Sequence, residues 1–187
     1  MSKCPPFEFG RIILDLCGGS GSWSRPYSEA GYDVRVVTLP DQDVRLYQPP
    51  LCVWGVLAAP PCTDFAVSGA RWWKEKGEDS LTKSLAVVDA CLRIIVVTKP
   101  RWWCLENPVG RLSHFLGEPR LTFNPCDYGD PYTKRTLLWG EFTTPNGFPV
   151  EPTEGSKLHL LPPSEDRAAV RSITPTGFAR AFFKANP

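Results

Sequence analysis

Short apolar segments alternate with polar turns along the first half of the chain. Residues 11–17 are apolar with β-branched side chains near their start, and they end in a Gly-Gly-Ser-Gly turn. A short helix is expected through residues 27–30, closed by Gly31, and a second strand over residues 33–39. Strand, turn, helix and strand in this order form a βαβ unit, which predicts a parallel sheet with right-handed crossovers.

The pattern then predicts two further strands, over residues 51–58 and 101–105, on either side of a long helix. The helix is expected over residues 80–97, where leucine, valine and isoleucine recur at steps of three and four. Residues 62–80 are polar and contain glycine, which is typical of a loop. Strands that alternate with helices indicate an α/β fold.

The last part of the chain is less regular. Two short strands are expected at residues 121–124 and 136–139, and a final helix over residues 174–185 with Thr174 as its N-cap. Residues 140–165 are rich in proline and show no periodicity, so a loop is expected there.

Composition permits one well-packed domain. Of the 187 residues, 42% are hydrophobic and 22% are charged, so a single domain over residues 1–187 can bury a core. The net charge of +1 excludes a uniformly cationic coat for nucleic acid and leaves room only for a local basic patch. The seven cysteines include no CxxC pair and the histidines number two, so no metal site is expected.

The sequence offers no membrane or export signal. No apolar stretch approaches the ~20 residues that cross a bilayer, and the N-terminal residues lack the apolar run of a signal peptide. We therefore expect no membrane contact and a cytoplasmic location.

Residues of chemical interest follow three of the expected strands. The glycine turn after residues 11–17 would let a nucleotide-like ligand approach the backbone, although a turn without a ligand is an equal alternative. Cys62 and Glu106 follow the third and fourth strands, which suits a thiolate nucleophile and a carboxylic acid whose pKa is raised by burial. An inert cysteine and an ordinary Glu-Asn-Pro turn are the alternatives. Lys134 and Arg135, taken alone, indicate only a solvated turn.

Taken together, the order and spacing of these motifs resemble the DNA (cytosine-5) methyltransferases, and most of all small enzymes of phages and prophages. The resemblance rests on Pro61-Cys62, Glu106-Asn107 and the segments 15–22, 128–140 and 174–179. It covers nearly the whole chain. It implies a Rossmann-like class I methyltransferase fold of three layers, in which helices flank a mostly parallel sheet.

The resemblance implies S-adenosylmethionine as the cofactor. Residues 15–22 resemble the motif that holds its methionine part, and Asp43-Val44 resembles the motif whose acid binds the adenine amino group. The family has an acid for the ribose near the position where this chain has Thr38. The implied cofactor-binding residues are Asp15, Cys17, Gly18, Gly19, Gly21, Ser22, Thr38, Asp43, Val44 and Pro60.

The reaction implied by the resemblance is methyl transfer to carbon 5 of cytosine in DNA. Cys62 would add to carbon 6 as a thiolate, Glu106 would protonate ring nitrogen 3, and Arg135 would orient the base or its phosphate. The implied substrate-binding residues are Pro61, Asn107, Arg71, Trp72 and Lys134. The adjacent cation and aromatic ring at residues 71 and 72 suit a base-flipping loop, although tryptophans packed on the core are an equal alternative.

The main departure from the family is length. The family carries a separate target-recognition domain before its last motif, whereas this chain has only the Pro-rich segment 140–172 there. Sequence specificity is therefore expected to be short or weak, or to come from a protein partner. Duplex DNA in a bacterial or phage-infected cell is the expected substrate. The alternatives are single-stranded nucleic acid or a free cytosine nucleotide, a modified methyl donor, and a non-catalytic homologue that binds cofactor or DNA.

Overall fold

A six-stranded mixed sheet forms the centre of the computed structural model, which describes residues 10–164 and 166–187. Its strands are β1 (Ile12–Leu16), β2 (Asp33–Val37), β3 (Val53–Ala58), β4 (Trp102–Pro108), β5 (Leu121–Phe123) and β6 (Thr136–Glu141). They lie in the order β2-β1-β3-β4-β6-β5. The first four strands are mutually parallel, and β6 runs antiparallel to both of its neighbours.

Helices cover both faces of this sheet. They are α1 (Arg25–Glu29), α2 (Trp73–Thr98), α3 (Ser113–Leu116), α4 (Arg167–Ser172) and α5 (Thr176–Ala185). Successive side chains of a strand point to opposite faces, so each face has its own core. Leu14 and Val56 pack with α2 around Cys91, whereas Ile13 and Leu57 pack with aromatic side chains of α1 and α5. This arrangement confirms the predicted α/β fold, with a mostly parallel sheet between two layers of helices.

Aromatic packing fastens α5 to the sheet. Phe178 and Phe182 are both fully buried. The ring of Phe178 stacks on that of Phe123 of β5 at 4.0 Å between centroids, and Phe182 meets Trp23 edge-on at 5.6 Å. Helix α5 is amphipathic, and its apolar face supplies this contact. The last helix therefore returns to the region of α1, beside the turn that follows β1.

Helix α2 begins earlier than the hydrophobic pattern predicts. The predicted loop over residues 62–80 is wrong beyond its first residues, because Val67–Trp72 form a 3-10 helix and α2 starts at Trp73. Gly77 has φ 71° and ψ −176°, which kinks the helix after its first turn. The turn before the kink is polar and makes no apolar stripe, so periodicity could not reveal it.

Strand β4 extends past its predicted end. Glu106 and Asn107 do not follow the strand but lie inside it, paired with Leu138 and Leu137 of β6. Pairing of β3 with β4 ends at Leu105, so the antiparallel neighbour on the other side holds these residues in the sheet. Both functional candidates are therefore fixed by strand pairing rather than by a turn.

The last part of the chain also departs from prediction. Strands β5 and β6 lie where expected, and the Pro-rich segment is irregular from residue 142 through residue 164. The Pro-rich segment 140–172 is not a loop throughout, because β6 extends to Glu141 at its start and α4, which has no buried residue, forms at its end. Thr174 does not cap the last helix, which begins at Thr176 after Pro175.

No helix within residues 10–164 and 166–187 is long and apolar enough to cross a membrane.

Phe182→Ala should lower the free energy of unfolding by about 3–5 kcal/mol, because it removes a fully buried ring and leaves a cavity. Urea denaturation followed by circular dichroism measures the change. Phe115→Ala is the control, since Phe115 is 48% exposed and its loss should cost no more than about 0.5 kcal/mol. Equal losses for the two variants would contradict the packing of α5 described here.

Candidate active site

The carboxyl ends of the central parallel strands meet at one edge of the sheet. Leu16 of β1 pairs with Ala58 of β3, and Ala58 pairs with Leu105 of β4. The glycine turn after β1, the turn carrying Cys62 and the carboxylate of Glu106 therefore share this edge. Open α/β sheets bind their ligands at such an edge.

Cys62, Glu106 and Lys134 form a group of ionisable side chains that influence one another. Lys134 Nζ lies 3.9 Å from Glu106 Oε1, and each of these two side chains is 18% exposed. Burial raises the pKa of Glu106, and the nearby Lys134 opposes that rise. Partial desolvation by the surrounding protein and the charge of Glu106 raise the pKa of the Cys62 thiol, against the opposing charges of Lys134 and Arg171. The group can hold a proton on the carboxyl and supply a sulfur nucleophile from the neighbouring turn.

Asn107 links β4 to the turn that carries Cys62. Its side chain is fully buried, and Nδ2 donates a hydrogen bond of 2.9 Å to the carbonyl of Pro60. Pro60 is itself buried, whereas Pro61 and Cys62 are exposed. This hydrogen bond fixes the start of the turn beside Glu106, so the thiol and the carboxyl keep their relative position.

Asp64 holds the other side of the same turn, and sequence reasoning missed it. Its carboxylate is almost fully buried and accepts hydrogen bonds from Lys76 at 3.0 Å, Ser80 at 3.0 Å and Ser84 at 2.6 Å. Burial alone would raise the pKa of Asp64, but these hydrogen bonds outweigh burial and lower it. Arg111 Nε also donates to the Asp64 carbonyl at 2.6 Å. The four-residue spacing of Lys76, Ser80 and Ser84 is the signal that could have revealed this polar helix face.

The glycine turn after β1 has an unusual backbone and a buried acid beneath it. Cys17, Gly19 and Gly21 have positive φ angles of 57°, 54° and 66°. A Cβ at Gly18 would collide with the carboxyl group of Asp15, so only glycine fits there. Burial raises the pKa of Asp15 to about 6, although Ser24 Oγ donates to its Oδ2 at 2.6 Å.

This turn has the features of a cofactor cradle. Asp15 Oδ1 is buried and has no hydrogen-bond partner among the described residues. A Cβ at Gly19 would meet open space, which indicates room above the turn. Ser22 Oγ accepts a hydrogen bond of 3.0 Å from the backbone N–H of Thr174, so the segment before α5 closes one side. The residues present therefore fit a ligand that approaches the backbone closely.

Thr38 and Asp43 follow the carboxyl end of β2, at the same edge of the sheet as the glycine turn. Asp43 accepts hydrogen bonds from the backbone N–H and guanidinium of Arg45, and these bonds lower its pKa to about 2. Its carboxylate also lies near enough to Cys17 to influence the pKa of that thiol. Thr38 stands just after β2, where its carbonyl accepts the N–H of Gln42. The carboxylate is thus charged and paired with Arg45 at the edge of the cradle.

Val44 belongs to the core rather than to an open surface. It is 5% exposed, and its carbonyl lies 3.4 Å from the guanidinium of Arg93 on α2. The same guanidinium donates to the Tyr47 carbonyl at 3.2 Å. Val44 therefore supports the backbone that carries Asp43.

Two of the predicted substrate residues lie at the surface. The Arg71 guanidinium stacks over the Trp72 ring at 5.0 Å from its centroid, and the tryptophan is 48% exposed. Trp73, the next residue, lies beneath the guanidinium of Arg111 at 4.3 Å. An exposed cation and aromatic ring are thus adjacent on the 3-10 helix that follows the Cys62 turn.

Lys134, and not its neighbour Arg135, lies beside Glu106. Arg135 is exposed just before β6, and its backbone carbonyl accepts the N–H of Val109 at 3.3 Å. No contact of its side chain with Cys62 or Glu106 is seen in the described part of the chain. Residues 10–164 and 166–187 also include no cluster of three or more potential metal ligands.

Comparison with known proteins finds relatives of this chain by sequence and by structure. No family model matches the chain. The frog virus 3 protein named "Probable DNA (cytosine-5)-methyltransferase" is 30% identical over an alignment of 150 residues, and the match covers 68% of this chain and 69% of the viral protein. The chain belongs to the DNA (cytosine-5)-methyltransferase family. A Type II methyltransferase of Streptomyces achromogenes, M.SacI, is 33% identical over an alignment of 111 residues, and the match covers 56% of this chain and 28% of M.SacI.

A solved structure supports the fold assignment of this methyltransferase. The E. coli crystal structure named "putative DNA modification methyltransferase encoded within prophage" superimposes with a TM-score of 0.52 at 17% identity. The match covers 70% of the present chain and 46% of the prophage protein. The chain thus spans less than half of that protein and about a quarter of M.SacI.

Glu106→Gln should make Cys62 more reactive even though it removes the acid. The ionised carboxylate raises the pKa of the thiol, so a neutral amide should lower that pKa and increase the thiolate fraction. We expect Cys62 to be alkylated by iodoacetamide several-fold faster near neutral pH, measured by mass spectrometry of its peptide.

The matched variant Lys134→Met should act in the opposite direction, because the lysine charge lowers the pKa of the thiol. Cys62 should then be alkylated more slowly than in the wild type. Changes of the same sign in both variants would contradict the electrostatic coupling.

Proposed function

We propose that this chain transfers a methyl group from S-adenosylmethionine to carbon 5 of cytosine in DNA. The observation that carries the proposal is the shared position of Cys62 and Glu106 at the carboxyl edge of the sheet, with Lys134 beside the acid. Both relatives with names that state an activity are methyltransferases, and the viral one is named for cytosine carbon 5.

In the proposed reaction, Cys62 and Glu106 act on opposite sides of the base. The Cys62 thiolate forms a bond to carbon 6, and the carboxyl of Glu106 gives its proton to ring nitrogen 3. The resulting enamine is nucleophilic at carbon 5. After transfer, carbon 5 loses its proton to a base, the carbon–sulfur bond breaks to release Cys62, and nitrogen 3 returns its proton to Glu106.

Bound S-adenosylmethionine would supply the electrophilic methyl group, whose bond to sulfur would break as the bond to carbon 5 forms, leaving S-adenosylhomocysteine. We propose that the glycine turn from Asp15 to Ser22 holds its methionine part and that Asp43 accepts a hydrogen bond from the adenine amino group. The unpartnered Asp15 Oδ1 and the ionised Asp43 support these roles. Thr38 is proposed to face the ribose, where a hydroxyl takes the place of the usual acid.

The substrate residues are proposed around the same pocket. Pro61 and Asn107 are proposed to shape the turn that carries Cys62. Lys134, rather than Arg135, is proposed to orient the base beside Glu106. This preference rests on the distance of 3.9 Å between Lys134 Nζ and Glu106 Oε1. Arg71 and Trp72 are proposed to contact DNA from the surface.

We further propose that residues 140–172 take the place of a separate target-recognition domain. Between β6 and α5 the described residues form irregular backbone and the short α4. Recognition would then be short or weak, or assisted by a protein partner, in the cytoplasm of a bacterial or phage-infected cell. Single-stranded nucleic acid or a free nucleotide would suit the same pocket.

Incubation with S-adenosylmethionine should yield 5-methylcytosine in duplex DNA. Duplex DNA, single-stranded DNA and deoxycytidine monophosphate would be tested in parallel, and digested products analysed by nucleoside mass spectrometry. Cys62→Ala should abolish the product, because it removes the sulfur nucleophile that is proposed to add to carbon 6. Turnover by Cys62→Ala would refute the mechanism. A methylated product from deoxycytidine monophosphate alone would identify the free nucleotide, and not duplex DNA, as the substrate.

Asp43→Ala should weaken binding of S-adenosylmethionine about tenfold, since it removes a charged hydrogen-bond acceptor. Isothermal titration calorimetry measures the dissociation constant. Asp41→Ala is the matched control, because Asp41 is an exposed acid two positions away. An unchanged constant in Asp43→Ala would place the adenine site elsewhere.

A further inference from the structure

We propose that α4 closes the catalytic pocket and that Arg171 on this helix binds a backbone phosphate of the nucleic acid beside the target cytosine. The identity of the ligand rests on the proposed function. The position of Arg171 rests on contacts with both sides of the pocket, described below.

The side chain of Lys134 connects the backbone of Arg171 to Glu106. Lys134 Nζ donates a hydrogen bond of 3.0 Å to the Arg171 carbonyl, and the same Nζ is 3.9 Å from Glu106 Oε1. A single ammonium group therefore holds the end of α4 beside Glu106. Because the carbonyl makes this contact, the side chain of Arg171 remains available for another ligand.

The guanidinium of Arg171 extends towards the turn of the nucleophile. It lies 3.5 Å from Ser68 Oγ, on the 3-10 helix that follows Cys62. Its charge also acts on the Cys62 thiol. Arg171 thus reaches across from the Glu106 side of the pocket to the Cys62 side.

No carboxylate within residues 10–164 and 166–187 forms an ion pair with Arg171. An Arg guanidinium with one weak neutral contact keeps most of its donors for a ligand, and phosphate is the anion that its planar fork matches best. In the proposed function the base lies between Cys62 and Glu106, so a cation with contacts on both sides is placed to meet the adjoining phosphate.

The segment that follows α4 is fixed at two points. The backbone N–H of Thr174 donates to Ser22 Oγ at 3.0 Å, and that of Gly177 donates to Asp130 Oδ2 at 2.9 Å. A Cβ at Gly177 would collide with the Tyr128 carbonyl, so the backbone passes very close to this loop. Anchoring on this side holds α4 between the glycine turn and the catalytic pair.

The test compares Arg171→Gln with Arg180→Gln, which removes the same charge from an exposed position on α5. Fluorescence anisotropy with a short fluorescein-labelled duplex containing cytosines gives the Kd over a range of salt concentrations. For Arg171→Gln we expect a Kd about tenfold higher at low salt, and a plot of log Kd against log salt that is shallower by about 0.9. Arg180→Gln should match the wild type, and Arg171→Lys should keep the wild-type slope.

Identical slopes for Arg171→Gln and the wild type would overturn the inference, as would a wild-type protein that binds no DNA. Thermal unfolding of each variant shows whether the fold is kept, and Arg171→Lys tests the charge if the Gln variant is unstable. Binding needs no methyl transfer, so the two proposals fail separately. DNA that is bound with the expected slopes but not methylated would refute only the proposed function.

Discussion

The pairing of β4 with β6 is the constraint on which the candidate site depends. Parallel pairing with β3 stops at Leu105, and only the antiparallel neighbour carries β4 on through Glu106 and Asn107. Held in the sheet, Glu106 is buried enough for its pKa to rise, and the chain that enters β6 brings Lys134 to it. The same extension lets Asn107 reach the Pro60 carbonyl. One strand pair therefore determines the positions of Glu106, of Lys134 and of the turn that carries Cys62.

The turn that carries Cys62 is exposed at Pro61 and Cys62, yet it is held at both ends. Asn107 fixes it on the sheet side, and the buried Asp64 fixes it to one face of α2. A buried carboxylate costs free energy unless its hydrogen bonds are satisfied, and three donors of α2 bond this carboxylate. Arg111 donates separately to the backbone carbonyl of Asp64. Since Asp64 lies two residues after Cys62, its network restricts the backbone that carries the thiol.

Sequence alone could predict the elements that carry apolar patterns. Strands β1 and β3 are buried on both faces, so they are apolar segments interrupted only by Asp15 in β1, and the core-facing part of α2 keeps its helical period. The predictions failed where tertiary contacts decide the structure. The end of β4 depends on a distant strand, and α4 has no fully buried residue to mark it. Whether Lys134 or Arg135 lies beside Glu106 depends on which of the two side chains the backbone points towards Glu106. The local sequence does not indicate that direction, because the two residues are adjacent and both basic.

The charges of the site are coupled in a way that suits the proposed chemistry. Ionised Glu106 raises the pKa of Cys62, so a proton on Glu106 must lower it by the same linkage. The pair therefore favours a protonated acid together with a thiolate over two negative charges. Lys134 and Arg171 favour the single negative charge that remains, because both lower the pKa of the thiol. A base bound between the two groups would meet the proton and the nucleophile at the same time, and adding the thiolate to carbon 6 would consume both.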